Sequence, residues 1–298
     1  IFRYLSESGF DVENDGGIIS AGSPVNPYEA DDAFSKMDDI PASRPVWYMD
    51  AKAFSFHGIC CPCPGDTQVI RIPLPKVKGQ AKSYMNMTTS FVAPFFSHVL
   101  SEEYSDRISP GEYVVASIKV NLRHYFPTPS LRPFFAEVPL AYNRNIDEYP
   151  VDTVVMSQKK LLEAQLKTDA LAYNAQRKIS ALEKVCDAPD SSAKIEAVSA
   201  MMADRASSAA YSLCNVGNII MPESLARYVT EFYPVLPATL YPFTVTTAML
   251  HGELTVAVTC GNGDADTLCR RFVRLLNSHD INAFISDRFS FSFMKYEP

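Results

Sequence analysis

The sequence has no excess of positive charge. Across 298 residues, 27 Lys and Arg stand against 34 Asp and Glu, for a formal net charge of −7. No run of Lys and Arg breaks this balance. A nucleic-acid partner needs a basic face, so that class of function is argued against. Long apolar runs are also missing, and no stretch is long enough to span a bilayer. The first residues, Ile1-Phe2-Arg3-Tyr4, contain neither a Met nor a signal-peptide pattern. They are expected to be a cut within a longer protein. Internal repeats and low-complexity tracts are absent as well.

Paired cysteines are not expected either. The seven cysteines are odd in number, and Cys186, Cys214, Cys260 and Cys269 stand isolated. That usage fits a reduced, cytoplasmic protein. The exception is Cys60-Cys61-Pro62-Cys63, with His57 just upstream. Three thiols and an imidazole could in principle hold zinc. The spacing suits no zinc knuckle and Pro62 stiffens the run, so the reading taken is a loop and no metal site is expected.

What is present is ordinary core-forming material. Hydrophobic residues make up 47% and charged residues 20% of the chain, enough for one large domain or two modest ones. Residues 1–9 read as the end of an amphipathic helix stopping at Gly9. Residues 11–66 are punctuated by proline and read as a long connection, with one short helix near Ala30–Met37. Residues 67–73 read as a strand. A helical stretch follows from about Leu74 to Leu100, in which Thr88-Thr89-Ser90 caps a second helix with Pro94 in its first turn.

Residues 112–123 alternate. Val114, Ala116, Ile118, Val120 and Leu122 point one way, and Tyr113, Val115, Ser117, Lys119 and Asn121 the other, which predicts a strand. Another strand is expected near Phe134–Leu140. A long helix is predicted over 151–186 and a further one over 190–204, capped by Asp190 or Ser191. A strand over 209–216 ends at Gly217. A short helix covers 223–233. A hairpin spans 241–260 and turns at His251-Gly252. A last helix covers 264–278 with Asp264 as cap, and Ile281–Ile285 closes the chain as a strand. The order is mixed α and β.

Three stretches together resemble one superfamily. The first is Lys119-Val120-Asn121-Leu122-Arg123-His124-Tyr125-Phe126-Pro127. The second is Ser212-Leu213-Cys214-Asn215-Val216-Gly217, followed by Ile220-Met221-Pro222. The third is the 241–260 hairpin with the helix that carries Arg270-Arg271-Phe272. In that order they resemble the chloramphenicol-acetyltransferase-like, CoA-dependent acyltransferases, the group of the alcohol O-acetyltransferases, polyketide-associated acyltransferases and condensation domains. The resemblance implies a two-layer α/β sandwich, represented mainly by the C-terminal lobe with a mixed sheet packed by helices. Residues 1–66 would be the end of the N-terminal lobe and a connecting segment, and residues 67–298 the C-terminal lobe.

The family's chemistry rests on an H-H-x-x-x-D-G motif, which this chain lacks. His57, His98, His124, His251 and His279 are its histidines, and none is followed four residues later by Asp. Phe2, Tyr4-Leu5 and Gly9 resemble the helix that follows the motif, so the motif is expected upstream of Ile1. Acyl transfer from a thioester needs a base for the acceptor and fixed donors for the oxyanion. The resemblance assigns the second lobe's share of that site to Arg123, as partner of the absent Asp, and to Asn121, Ser212, Asn215 and Gly217. Each has a plainer reading. Arg123 could be a strand-end arginine, Asn121 could face solvent or a turn, Ser212 and Asn215 could satisfy nearby backbone, and Gly217 could serve a tight turn.

The implied reaction moves an acyl group from acyl-CoA, as co-substrate and not a resident cofactor, or from a carrier-bound thioester, to a small alcohol or amine. The missing N-terminal lobe would be a partner, and a homodimer could form through the surface that lobe covers. A noncatalytic binding module of the same fold, or a condensation or epimerisation module of a peptide synthetase, are the alternatives.

Overall fold

The computed structural model describes residues 2–10, 24, 26–45, 52–56, 65–73, 87–142, 145–261 and 265–291. The Cys60–Cys63 run, His57, the stretch 74–86 and Asp264 lie outside them. Helix α1 spans Phe2–Glu7 and stops before Gly9, whose φ is +80°. The short helix expected near residues 30–37 is two single turns of 3-10 helix, Pro27–Ala30 and Ala33–Lys36. The side chains of Asn26 and Asp32 cap them.

The strands are β1 (Lys52–Ala53), β2 (Gly65–Pro73), β3 (Glu112–Tyr113), β4 (Val115–Asn121), β5 (Phe135–Ala141), β6 (Tyr211–Asn218), β7 (Phe243–Leu250), β8 (Glu253–Cys260) and β9 (Phe284–Phe291). The first and third form a small parallel pair. The other seven form one mixed sheet, in the order β5-β4-β6-β7-β8-β2-β9, with β4, β6 and β7 parallel to one another. The remaining helices are α2 (Thr88–Glu103), α3 (Val151–Gln165), α4 (Thr168–Cys186), α5 (Ser191–Ser207), α6 (Glu223–Ala226) and α7 (Ala265–Ser278). The chain is therefore an α/β fold whose helices pack on a mixed sheet. No described helix is long and apolar enough to cross a membrane. None of the four described cysteines forms a disulfide.

Period-2 alternation gives the sheet two unlike faces. On one, Ile118, Val138, Leu213, Val245, Val256 and Ile70 make a single apolar core with α2 and α7. Helix α2 is buried from Ser90 through Leu100, which suits a sequence apolar on all sides apart from Ser90, Ser97 and His98. Helix α7 is one-sided: it buries Leu268, Phe272 and Leu276 and leaves Arg270 out. The opposite face carries buried hydroxyls: Thr67, Ser117, Ser212, Thr244, Thr246, Thr255 and Thr259.

Several boundaries differ from the sequence reading. Met87, with no side-chain hydrogen bond, is the N-cap of α2 in place of Thr88-Thr89-Ser90, and the closing strand runs over Phe284–Phe291 rather than 281–285. Pro94 lies in the second turn of α2, not the first, so the Ser90 carbonyl loses its helical donor. The helix predicted over 151–186 is two helices, because Lys167 takes an extended conformation (φ −63°, ψ 145°) between them. The break lets α3 and α4 both serve the free edge of β5. Gln158 and Gln165 of α3 and Lys178 of α4 donate to the carbonyls of Ala141, Pro139 and Phe135. An edge strand with a proline in it is thereby covered. Finally, the helix expected over 223–233 covers only Glu223–Ala226.

The irregular chain after α6 straps the hydroxyl face. Thr255, Thr246 and Thr244 donate in succession to the carbonyls of Phe232, Pro234 and Pro237. Arg71 of β2 adds an ion pair to Glu231 of the strap at 2.7 Å and one to Glu253 of β8 at 2.5 Å.

Candidate functional site

Under the end of this strap is a cavity of about 270 Å³. Three neighbouring strands form its floor: Lys119 from β4, Ser212 from β6 and Thr244 from β7. Pairing fixes their common face, because Ser212 is opposite Thr244 on one side and Ser117, two residues from Lys119, on the other. Arg205 enters from the last turn of α5. Leu236, Pro237 and Tyr241 of the strap complete the wall.

The charges do not cancel locally. Glu137 of β5, paired with Lys119 across the ladder, accepts from the Lys119 ammonium at 3.0 Å and from the Arg205 guanidinium at 2.6 Å. Burial works against its ionisation. The two cations outweigh that and hold its carboxyl below the usual glutamate range. One carboxylate thus serves two cations, and Lys178 stands close behind them with its pKa lowered by burial.

Ser212 is 3% exposed, and its hydroxyl has no hydrogen-bond partner among the described residues. An unmet buried hydroxyl costs about 1–3 kcal/mol. The residue lines the cavity, while the Oγ atom itself is closed off from solvent. Tyr241 stays a neutral phenol, since burial raises its pKa, and it bonds to Ser117 and Ser208. Burial likewise raises the Cys214 thiol, which disfavours it as a nucleophile. Cationic and neutral donors therefore line the cavity, and among the described residues no imidazole or carboxylate does.

The other residues singled out in the sequence lie elsewhere. Asn121 accepts from the Arg123 amide at 3.1 Å and so caps a 3-10 turn over Leu122–His124. The Arg123 guanidinium holds the carbonyls of Ser130 and Arg132, fastening the loop whose Leu131 and Ser130 bond to the backbone of Glu29 and Asp31. Asn215 is three residues from Ser212 and faces the helices. Its Oδ1 accepts from the Gly217 amide at 2.9 Å and the Thr247 hydroxyl at 3.0 Å, and its Nδ2 donates to Thr89 at 3.3 Å. These bonds frame a bulge between Asn215 and Gly217, and Gly217 has a φ of +87°. Of the five residues, the structure brings only Ser212 to the cavity.

Sequence reasoning assigned no role to Lys119, Arg205, Tyr241 or Thr244. Lys119 could have been found, because strand alternation already put it on one face with Ser117. Arg205 could not, since its place depends on how α5 folds back.

No family model matches the sequence, and no curated protein does. Among solved structures the chain is similar to the epimerization domain from the third module of tyrocidine synthetase B, at 10% identity over 83% of this chain and 52% of that one, with a TM-score of 0.44. It is similar to polyketide synthase associated protein 5 from Mycobacterium tuberculosis, at 12% identity over 74% and 53% of the two chains and a TM-score of 0.44. The trichothecene 15-O-acetyltransferase TRI3 from Fusarium sporotrichioides stands at 9% identity over 72% and 47%, with a TM-score of 0.44. The chain spans about half the length of each. The likeness is one of chain path, and nothing about chemistry follows from it.

Proposed function

We propose that this chain is the C-terminal lobe of an acyltransferase of the chloramphenicol-acetyltransferase-like type and supplies binding and oxyanion-type donors rather than the base. One observation carries the reading. The three sequence stretches that resemble that family lie along four neighbouring strands of one sheet: the first over the end of β4 and the turn after it, the second over β6 and the chain just beyond, the third over β7, β8 and α7. The cavity beside Ser212 supports it, since the Lys119 and Arg205 cations that line it suit the anionic groups of a thioester's carrier. The acyl donor is acyl-CoA or a carrier-bound thioester, and the acceptor an alcohol or amine. The histidine base comes from outside this chain.

The test is thiol release from acetyl-CoA with simple alcohols and amines, run on the complete protein and on this chain. The complete protein turns over, this chain alone does not, and Ser212→Ala lowers turnover of the complete protein at least about tenfold. Because the Ser212 hydroxyl has no internal partner, that substitution leaves folding intact and reports on the site. Robust turnover by this chain alone would place the base within it. The lack of any imidazole or carboxylate on the cavity wall favours a second reading, a noncatalytic binding module. A complete protein that binds CoA without ever releasing thiol would establish that reading instead.

A further inference from the structure

A cluster remote from the cavity lining has a different chemistry. His98, on α2, is 3% exposed. Its Nε2 makes no hydrogen bond among the described residues. Instead it faces Glu102 Oε1 at 3.7 Å and Asp147 Oδ2 at 3.6 Å. The three ligand atoms all lie within 4.8 Å of one another. Glu102 is one helical turn beyond His98, so both project from the same side of α2. Asp147 comes from the connection between β5 and α3. That turn is built to present it: Asn145 Oδ1 accepts from the Asp147 amide at 3.0 Å, and the Ile146 amide donates to the Tyr142 hydroxyl at 2.8 Å.

These distances are too long for hydrogen bonds, which run at about 2.7–3.2 Å. They suit a different occupant. A zinc-type ion bonds nitrogen and carboxylate oxygen at about 2.0–2.2 Å, and a tetrahedral array then sets neighbouring ligand atoms about 3.4 Å apart. Two carboxylates held against one buried imidazole also repel each other unless a cation lies between them. The C-terminal half of α2 adds the negative end of a helix dipole. Solvent reaches the site, because the Glu102 and Asp147 side chains are 52% and 63% exposed.

We propose that His98, Glu102 and Asp147 bind one divalent transition-metal ion of the zinc class, leaving a coordination position open to water and clipping α2 to the turn between β5 and α3. An imidazole with two carboxylates suits zinc, cobalt or nickel better than calcium or magnesium, which take oxygen ligands alone. Two carboxylates also balance the charge of a divalent ion. Tyr142 supplies the outer support such a histidine needs, with its hydroxyl 3.1 Å from His98 Nδ1. A phenol can donate to Nδ1 in the metal-free state and accept from Nδ1–H when Nε2 binds metal.

The test uses cobalt(II) on the tag-free chain in a Cys60→Ser, Cys61→Ser, Cys63→Ser background, which removes the cysteine run as a competing donor. One cobalt per chain is expected by equilibrium dialysis, with visible d–d absorption that zinc abolishes by displacement. Glu102→Gln and Asp147→Asn keep shape at exposed positions, so circular dichroism without metal stays the same. Each weakens cobalt binding at least about tenfold, since losing even an outer-shell partner costs 10–100-fold. Glu163→Gln, an exposed acid on α3, leaves binding unchanged. Failure of the parent chain to bind cobalt stoichiometrically overturns the proposal, as does undiminished binding by the Glu102→Gln, Asp147→Asn double variant.

Discussion

Replacing Glu137 by Gln tests how the cavity is held. The side chain has 20% of its surface exposed, and its cationic partners Lys119 and Arg205 have 27% and 35%. Removing one partner of a fully buried pair costs about 3–5 kcal/mol, because a charge is left unanswered. An exposed pair contributes only about 0–1 kcal/mol. This pair lies between those limits but abandons two cations at once, with Lys178 near them, so a loss of about 2 kcal/mol at pH 7 is expected. The pH dependence adds a sharper signature. The folded protein holds the Glu137 carboxyl below its ordinary value of 4.5. As pH falls past that value, the unfolded chain takes up the proton first. The stabilisation is therefore complete above the unfolded pKa and is lost as pH falls through the lower folded pKa. Urea unfolding of both proteins from pH 7 to pH 3 reads this directly. The gap between them should be widest near neutrality and close in acid, where Glu137 is itself neutral. A gap under about 0.5 kcal/mol at pH 7, the size of an ordinary surface substitution, or one that stays constant down to pH 3, would refute the reasoning.

Two further substitutions probe the frame. Tyr211 is fully buried, donates to the Ala93 carbonyl at 3.0 Å and lies 3.0 Å from the Ser97 hydroxyl, so Tyr211→Phe should cost about 1–3 kcal/mol in thermal or urea unfolding. An unchanged midpoint would mean that the hydroxyl carries no weight between β6 and α2. Gly217→Ala should cost about 1–2 kcal/mol through its φ of +87° alone, because an added Cβ meets nothing within 4 Å. A neutral result in the same unfolding assay would show that the β6 bulge relaxes without penalty.

Much of the sheet was legible because alternation is a local signal. The pattern from Val114 to Leu122 assigned both faces of β4, with Ile118 in the core and Lys119 at the cavity, while Val115 and Ser117 on the second face are buried as well. The 241–260 hairpin turns at His251-Gly252, with φ values of 51° and 77°, the left-handed pair a two-residue turn needs. The break at Lys167 had no such signal, since neither Gly nor Pro marks it and the apolar spacing runs on. It is imposed by packing, as the glutamines of α3 and Lys178 of α4 reach carbonyls on the edge of β5. The site residues divided for a related reason. Ser212 and Asn215 read as neighbours in one motif, yet an odd separation along a strand sends them to opposite faces, so one borders the cavity and the other frames the bulge.

The same separation explains why the cavity cannot be understood without the strap. A sheet face of serine and threonine cannot be buried under aliphatic side chains without stranding its hydroxyls. The strap solves this with backbone: its prolines keep it extended, and its carbonyls at Phe232, Pro234 and Pro237 receive the threonines of β7 and β8. Where the strap passes over β6 it offers Ser212 no carbonyl, and there the cavity opens. The strap closes the face with hydrogen bonds at three points and leaves the Ser212 hydroxyl buried and unmet beside two cations. Any ligand that fills the cavity must answer the Lys119 and Arg205 cations, which selects for an anionic group over a purely apolar one.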